Sequence, residues 1–243
     1  MTVAELIPFK LFGPSHIFAL LVIGFFSTLA LKTLQKYSRL QLRIKFHPFL
    51  GWLLITWVIF YKTVLLLTHD FSIREDLPFH LCSISTLAFG FYFLKPDRKL
   101  YDIIFYWGFS GATLGLIFPD LKVGFPSFRY FAMFFGHGIM LFAILYLLVF
   151  FDLQPRGKGK DAFIYMNLLA VLLIPINLIT GGNYLFLRQI PIIDFAPAKI
   201  LPGWPWHIPI LELFAWVYFR FIDLLAGWIR AYSRAQLSPM SAS

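Results

Sequence analysis

Charged side chains make up only 14% of this chain, where a soluble domain carries roughly 25%. A sequence of 243 residues so poor in charge cannot cover a water-facing surface, which excludes an ordinary soluble globule. Cysteine is scarcer still. Cys82 is the only one, so an intrachain disulfide is excluded. No HExxH or other paired histidine spacing occurs, and no metal is expected. A glycine-rich phosphate loop and a GxSxG elbow are both missing, and no cofactor is expected. The last apolar run has no lysine for a retinal-type Schiff base. The first apolar run follows Glu5 and Lys10 and lacks a small-residue cleavage site, so signal cleavage is not expected. No hydrophilic stretch is long enough for a separate domain, and no internal repeat stands out.

What is present is apolar. Hydrophobic residues reach 59% and the mean hydropathy is +0.75. Seven runs approach or exceed the length that crosses a bilayer core, about 20 residues. They cover Ser15–Leu34, Pro48–Leu67, Leu77–Leu94, Tyr101–Phe118, Phe128–Phe151, Ala162–Thr180 and Ile208–Ala231. The expected fold is all-α: a polytopic membrane helix bundle with seven transmembrane helices in one transmembrane domain, residues 1–243.

The net charge of +9 then reads as topology rather than nucleic-acid binding, because no stretch interleaves cations with exposed aromatics. Lys32, Lys36, Arg39, Arg43, Lys45, Lys95, Arg98, Lys99, Arg156, Lys158, Lys160, Arg230 and Arg234 fall on one side of a seven-span path. Only Lys10, Arg74, Lys122, Arg129, Arg188 and Lys199 fall on the other, with the acids Asp70, Glu75, Asp76, Asp120 and Asp194. The positive-inside rule places the N-terminus outside and the C-terminus in the cytoplasm. The expected location is the cell membrane, as a multi-pass protein of the bacterial cytoplasmic membrane, with membrane lipid as partner.

Titratable residues inside such runs are costly and mark function or a buried pair. Counting from the outer ends, His16, Lys62, His80, Cys82, Asp120, Arg129, Asn177, Asn183, Tyr184, His207 and Glu212 all fall in the outer third, with His137 about 12 Å deeper than Arg129 at 1.5 Å per residue. A polar pocket between helix ends follows. Cys82 reads either as a small core residue or as a thiolate nucleophile whose base comes from another span, His137 being the deepest candidate. Gly136 and Gly138 flank His137 and permit close helix approach. Asp120 and Arg129 are expected to pair across a short outer loop. Lys62 is expected to find Asp120 or Glu212, and Arg220 to find Asp223 at i,i+3.

Five stretches carry a resemblance: LPFHLCSIS (Leu77–Ser85), YWGFSGATLGLIFPDL (Tyr106–Leu121), FPSFRYFAMFFGHG (Phe125–Gly138), NLITGGNYLFL (Asn177–Leu187) and PGWPWHI (Pro202–Ile208). Through them the chain resembles the YwaF-like bacterial integral membrane proteins, which are distantly similar to the eukaryotic transmembrane protein 164 group. That group is associated with phospholipid acyl transfer through a Cys and a His, and androgen-induced membrane hydrolases with a Thr and a His are a remoter likeness. His137 matches the family histidine. The eukaryotic Pro-Cys-His motif stands in register with Pro78, Phe79 and His80, which puts Cys82 three residues, nearly one helical turn, further on. The resemblance implies a lipid acyltransferase or acyl hydrolase with Cys82, His137 and His80 in the catalytic set and Asn183 or His80 near the oxyanion. Lys62, Asp120, Arg129, Asn177, Asn183, Tyr184 and Glu212 would line the substrate site. The competing reading is a non-catalytic receptor or small-solute transporter that holds an anionic ligand on Lys62 and Arg129.

Overall fold

The computed structural model describes residues 7–190 and 201–237, with side chains up to Trp228. Glu5, Asp194, Lys199 and the side chains of Arg230 and Arg234 lie outside the described residues. Among the described residues seven α-helices follow one another: α1 (Pro14–Leu34), α2 (Arg39–Leu67), α3 (Leu81–Leu94), α4 (Arg98–Ile117), α5 (Phe128–Phe151), α6 (Gly159–Thr180) and α7 (His207–Leu237). Five of them, α1, α2, α4, α5 and α6, are long and apolar enough to cross a membrane. The α3 helix is apolar but has 14 residues, about 21 Å at 1.5 Å per residue.

Local chemistry sets the boundaries. The α2 helix begins nine residues before the expected start, because Ser38 and Gln41 form a reciprocal capping box. A π-helical turn at Leu42–Phe46, where His47 N–H reaches Leu42 O, carries the helix past Pro48. That turn widens the backbone where the proline ring would otherwise meet the carbonyl four residues back. In contrast α3 starts later than expected. Pro78 biases the preceding residue away from helix, and His80 is an extended N-cap (φ −67°, ψ 144°). His80 and Cys82 therefore do not share a helical face. At the other end Lys95 precedes Pro96 and leaves the helical region (φ −138°, ψ 88°). Asp97 then caps α4 through Leu100 N–H, and Ser127 caps α5 through Tyr130 N–H.

Helices α2 to α5 pack as neighbours in chain order, α6 pairs with α7 and also meets α4, and α1 lies against α5. Lipid tails are as apolar as leucine, so association depends on close fit. A Cβ on Gly90 would lie 2.5 Å from Ile55 Cγ1 and 3.1 Å from Gly51 O, so α2 and α3 cross nearly backbone to backbone. The N-terminal segment closes one end: Phe9 N–H donates to Lys122 O and Gly124 N–H to Ile7 O. His16, fully buried, accepts from Phe12 N–H through Nδ1 and bonds Leu116 O through Nε2, fixing α1 to the end of α4.

The sequence placed nearly all buried polar groups at one end, and the structure corrects this. At the opposite, basic end the carboxylate of Asp102, 3% exposed, lies between Arg98 and Arg156. Tyr106 hydroxyl donates to Asp223, which also pairs with Arg220 at 3.1 Å as expected. His47 bonds Tyr146 there as well. These groups tie the basic loops to the bundle and are each provided with partners.

Candidate functional site

Cys82 is the second residue of α3 and His137 lies in the third turn of α5. The two side chains approach each other inside the bundle, near enough for the charge of each to act on the other. His137 Nδ1 lies 2.8 Å from Met133 O. A carbonyl only accepts, so Nδ1 carries a proton and Nε2 is the nitrogen left to act as a base. The same nitrogen packs over α4: a Cβ on Gly115 would fall 2.6 Å from Nε2 and 2.5 Å from Cδ2 of His137. One turn away, a Cβ on Gly111 would stand 3.9 Å from Cys82 Cβ and 3.8 Å from Met140 Cε. Two glycines four residues apart thus give α4 a flat face on which the thiol and imidazole are brought together. Thr86 closes the floor, with its hydroxyl on Cys82 O at 2.8 Å and Met140 sulfur at 3.5 Å. Cys82 and His137 are each half-buried among these helices.

The TMEM164 family matches residues 11–223, which include both members of the pair. This chain belongs to the TMEM164 family. It is also similar to a protein of Treponema pallidum (strain Nichols), named there only as an uncharacterized protein, with 27% identity over 128 residues. That match takes in 50% of this chain and 51% of the relative, so the chain spans about half the length of the curated relative it matches. No solved structure matches the chain.

Around the pair, the family member departs from several sequence expectations. Arg129 does not pair with Asp120. Its guanidinium grips Asp76 with two bonds, 2.8 Å and 2.9 Å, and adds Asp70 O at 2.7 Å and Tyr61 hydroxyl at 3.4 Å. Asp76 is 2% exposed and also accepts Ser72 N–H at 2.9 Å. Burial alone would push its carboxyl up, but Arg129 and the Ser72 amide outweigh that and hold it below the usual carboxylate range. Asp120 sits exposed in the turn after α4. The fold of the loop before α3, not sequence distance, selects the acid, so the partner was not visible in the sequence.

Lys62 finds neither Asp120 nor Glu212. Its ammonium stands 4.6 Å from the centroid of the Tyr61 ring, and its electrostatic neighbours are Asp76, Arg129, His80 and Cys82. Among the described residues it has no ion pair within 4.0 Å. Glu212 accepts from Asn167 Nδ2 at 2.9 Å, eight residues beyond the start of α6, so it lies towards mid-bundle instead of at the outer rim.

Four further expected residues act as stitching. Asn177 exchanges two bonds with the Tyr184 backbone, at 2.7 Å and 3.0 Å. Tyr184, fully buried, donates to Ile73 O at 2.6 Å and accepts Leu77 N–H at 3.2 Å. Asn183 accepts from Arg188 and Gln189 amides, 2.9 Å each, on the exposed loop, which commits the group expected near the oxyanion. His80 bonds Glu75 O at 3.1 Å and stacks edge-on with Tyr184, centroids 5.0 Å apart. These contacts lock the loop after α6 onto the segment that launches α3, and so set where Cys82 points. Sequence reasoning missed Asp76, Tyr61, Gly111 and Gly115. The spacing Gly111-x-x-x-Gly115 was the available signal.

Proposed function

We propose that this chain is a membrane enzyme that moves an acyl group from a phospholipid ester, with Cys82 as nucleophile and His137 as general base. The observation that carries the reading is the approach of Cys82 and His137 on the Gly111–Gly115 face of α4, inside the apolar bundle. Family membership supports it, because both residues lie within the matched region. Among family likenesses, the YwaF-like bacterial proteins are the branch that the five quoted stretches favour.

The chemistry follows from the atoms. His137 Nε2 takes the thiol proton as Cys82 Sγ attacks the ester carbonyl carbon. The developing oxyanion is met by amide N–H groups of the first turn of α3, where the N-cap side chain makes no capping bond and helix-end amides favour negative charge. The ester C–O bond breaks, His137 returns its proton to the lysolipid oxygen, and an S-acyl thioester remains on Cys82. Attack by a second hydroxyl, from a lysolipid or water, releases the acyl group and restores the thiol. Lys62, whose charge acts on Cys82 and His80, holds the phosphate. Arg129 is already committed to Asp76 and takes no ligand charge.

In the membrane we read seven spans, with α3 and α7 completing the five apolar helices. The N-terminus is outside and the C-terminus is in the cytoplasm of a bacterial cell membrane. The distribution of basic loops supports this orientation. The test uses purified protein and phospholipids with labelled acyl chains. Lysolipid release or acyl transfer is expected from the wild type and is expected to vanish in Cys82→Ala and in His137→Ala. Undiminished turnover in both variants overturns the mechanism.

A further inference from the structure

The strongest unassigned feature lies at the opposite, basic end of the bundle. A cleft of about 330 Å³ opens between the first turns of α2 and the end of α5, lined by Arg39, Leu40, Arg43, Phe151 and Leu153. We propose that this cleft is a binding site for the head group of an anionic glycerophospholipid in the leaflet at that end. The proposal stands apart from the acyl-transfer reading and uses none of its residues.

Four observations converge. Arg39 and Arg43 are four residues apart on one helix, both line the cleft, and both are exposed. Among the described residues neither has a carboxylate within 4.0 Å. Among the described side chains the other arginines of this end are taken: Arg98 and Arg156 by Asp102, and Arg220 by Asp223. Two unpaired guanidinium forks side by side present the planar donor geometry that matches phosphate oxygens.

The mount is rigid. The capping box at Ser38 fixes the helix start, Leu42 is buried at 2% exposure, and the Arg43 guanidinium lies 5.6 Å from the Phe151 ring centroid. An arginine held over a ring loses less freedom when it binds than one on a loop.

The cleft is also two-faced. Leu40 is 67% exposed and Ile44, beside Arg43 on α2, is 64% exposed. A small soluble anion would leave these apolar faces in water, whereas a lipid covers them with glycerol and acyl carbons while its phosphate meets the arginines. This pairing of charge and apolar surface distinguishes a lipid site from a solvated basic rim.

Native mass spectrometry of the full chain in neutral detergent, titrated with phosphatidylglycerol or phosphatidylcholine, tests the proposal. One phosphatidylglycerol is expected to bind more tightly than phosphatidylcholine. Arg39→Gln with Arg43→Gln should weaken that first binding event at least about tenfold, since charge-assisted bonds to phosphate are being lost. The control pair Lys95→Gln with Lys99→Gln removes the same charge from exposed positions at the same end and should leave it unchanged. Arg43→Lys keeps the charge and loses the fork, and should fall between. Equal loss in both double variants shows diffuse attraction only and overturns the site, as does a wild type with no preference for phosphatidylglycerol.

Discussion

At Gly115 a single added methyl would land 2.5 Å from His137 Cδ2, an approach that real atoms do not tolerate. The imidazole would have to move by about 1 Å, and misplacement of that size costs on the order of a hundredfold in rate. Gly115→Ala is therefore expected to lower acyl turnover about a hundredfold, with a loss of thermal stability in detergent no larger than the about 1–3 kcal/mol of an overpacked site. A variant as active as wild type would show that the ring position is unimportant. Asp76 gives a stability prediction. Removing one member of a buried, bidentate pair costs about 3 kcal/mol, and Arg129→Met should lose roughly that in an unfolding titration. The carboxyl of Asp76 is held below its ordinary value, so its contribution is present above about pH 4 and is lost as pH falls through the lowered folded value. Thermal stability of the wild type should drop in that acid range, and Asp76→Asn should be less stable near neutrality and flatter in acid. The pair Cys82–His137 was legible in the sequence because a single thiol and the deepest histidine left few choices. Arg129–Asp76 was not, because the loop preceding α3 decides which acid turns inward.

Among the elements, α2 and α3 depend on a pair of glycines at their crossing. A Cβ at Gly90 would meet Ile55 at 2.5 Å. Overpacking of that kind costs about 1–3 kcal/mol, so Gly90→Ala should lower the unfolding midpoint measurably without changing the helical signal. Helix positions were largely readable from hydropathy: the α5 bounds, Phe128–Phe151, agree residue for residue. The misses have local causes. Ser38 and Gln41 turned an expected basic loop into the start of α2, and the Pro78 segment delayed α3 until Leu81. Both depend on side chain to backbone chemistry that a hydropathy window averages away.

Across the whole molecule, two polar layers stand towards opposite ends, one around Cys82 and His137 and the other around Asp102 and Asp223, with the Glu212–Asn167 pair between them. The sequence pointed to the first and passed over the second, because nothing in the run around Asp102 shows that Arg98 and Arg156 close over its carboxylate. Cysteines introduced singly at Lys99 and at Gln189 in a Cys82→Ala background should label from opposite sides of the membrane, Gln189 from outside intact cells. The most direct test of the central claim uses the chain's one thiol. After incubation with a labelled phospholipid, intact-mass analysis of the wild type should show one hydroxylamine-sensitive acyl adduct that maps to Cys82 and is absent from His137→Ala. Turnover without any thioester, or turnover that persists in Cys82→Ala, would contradict the account.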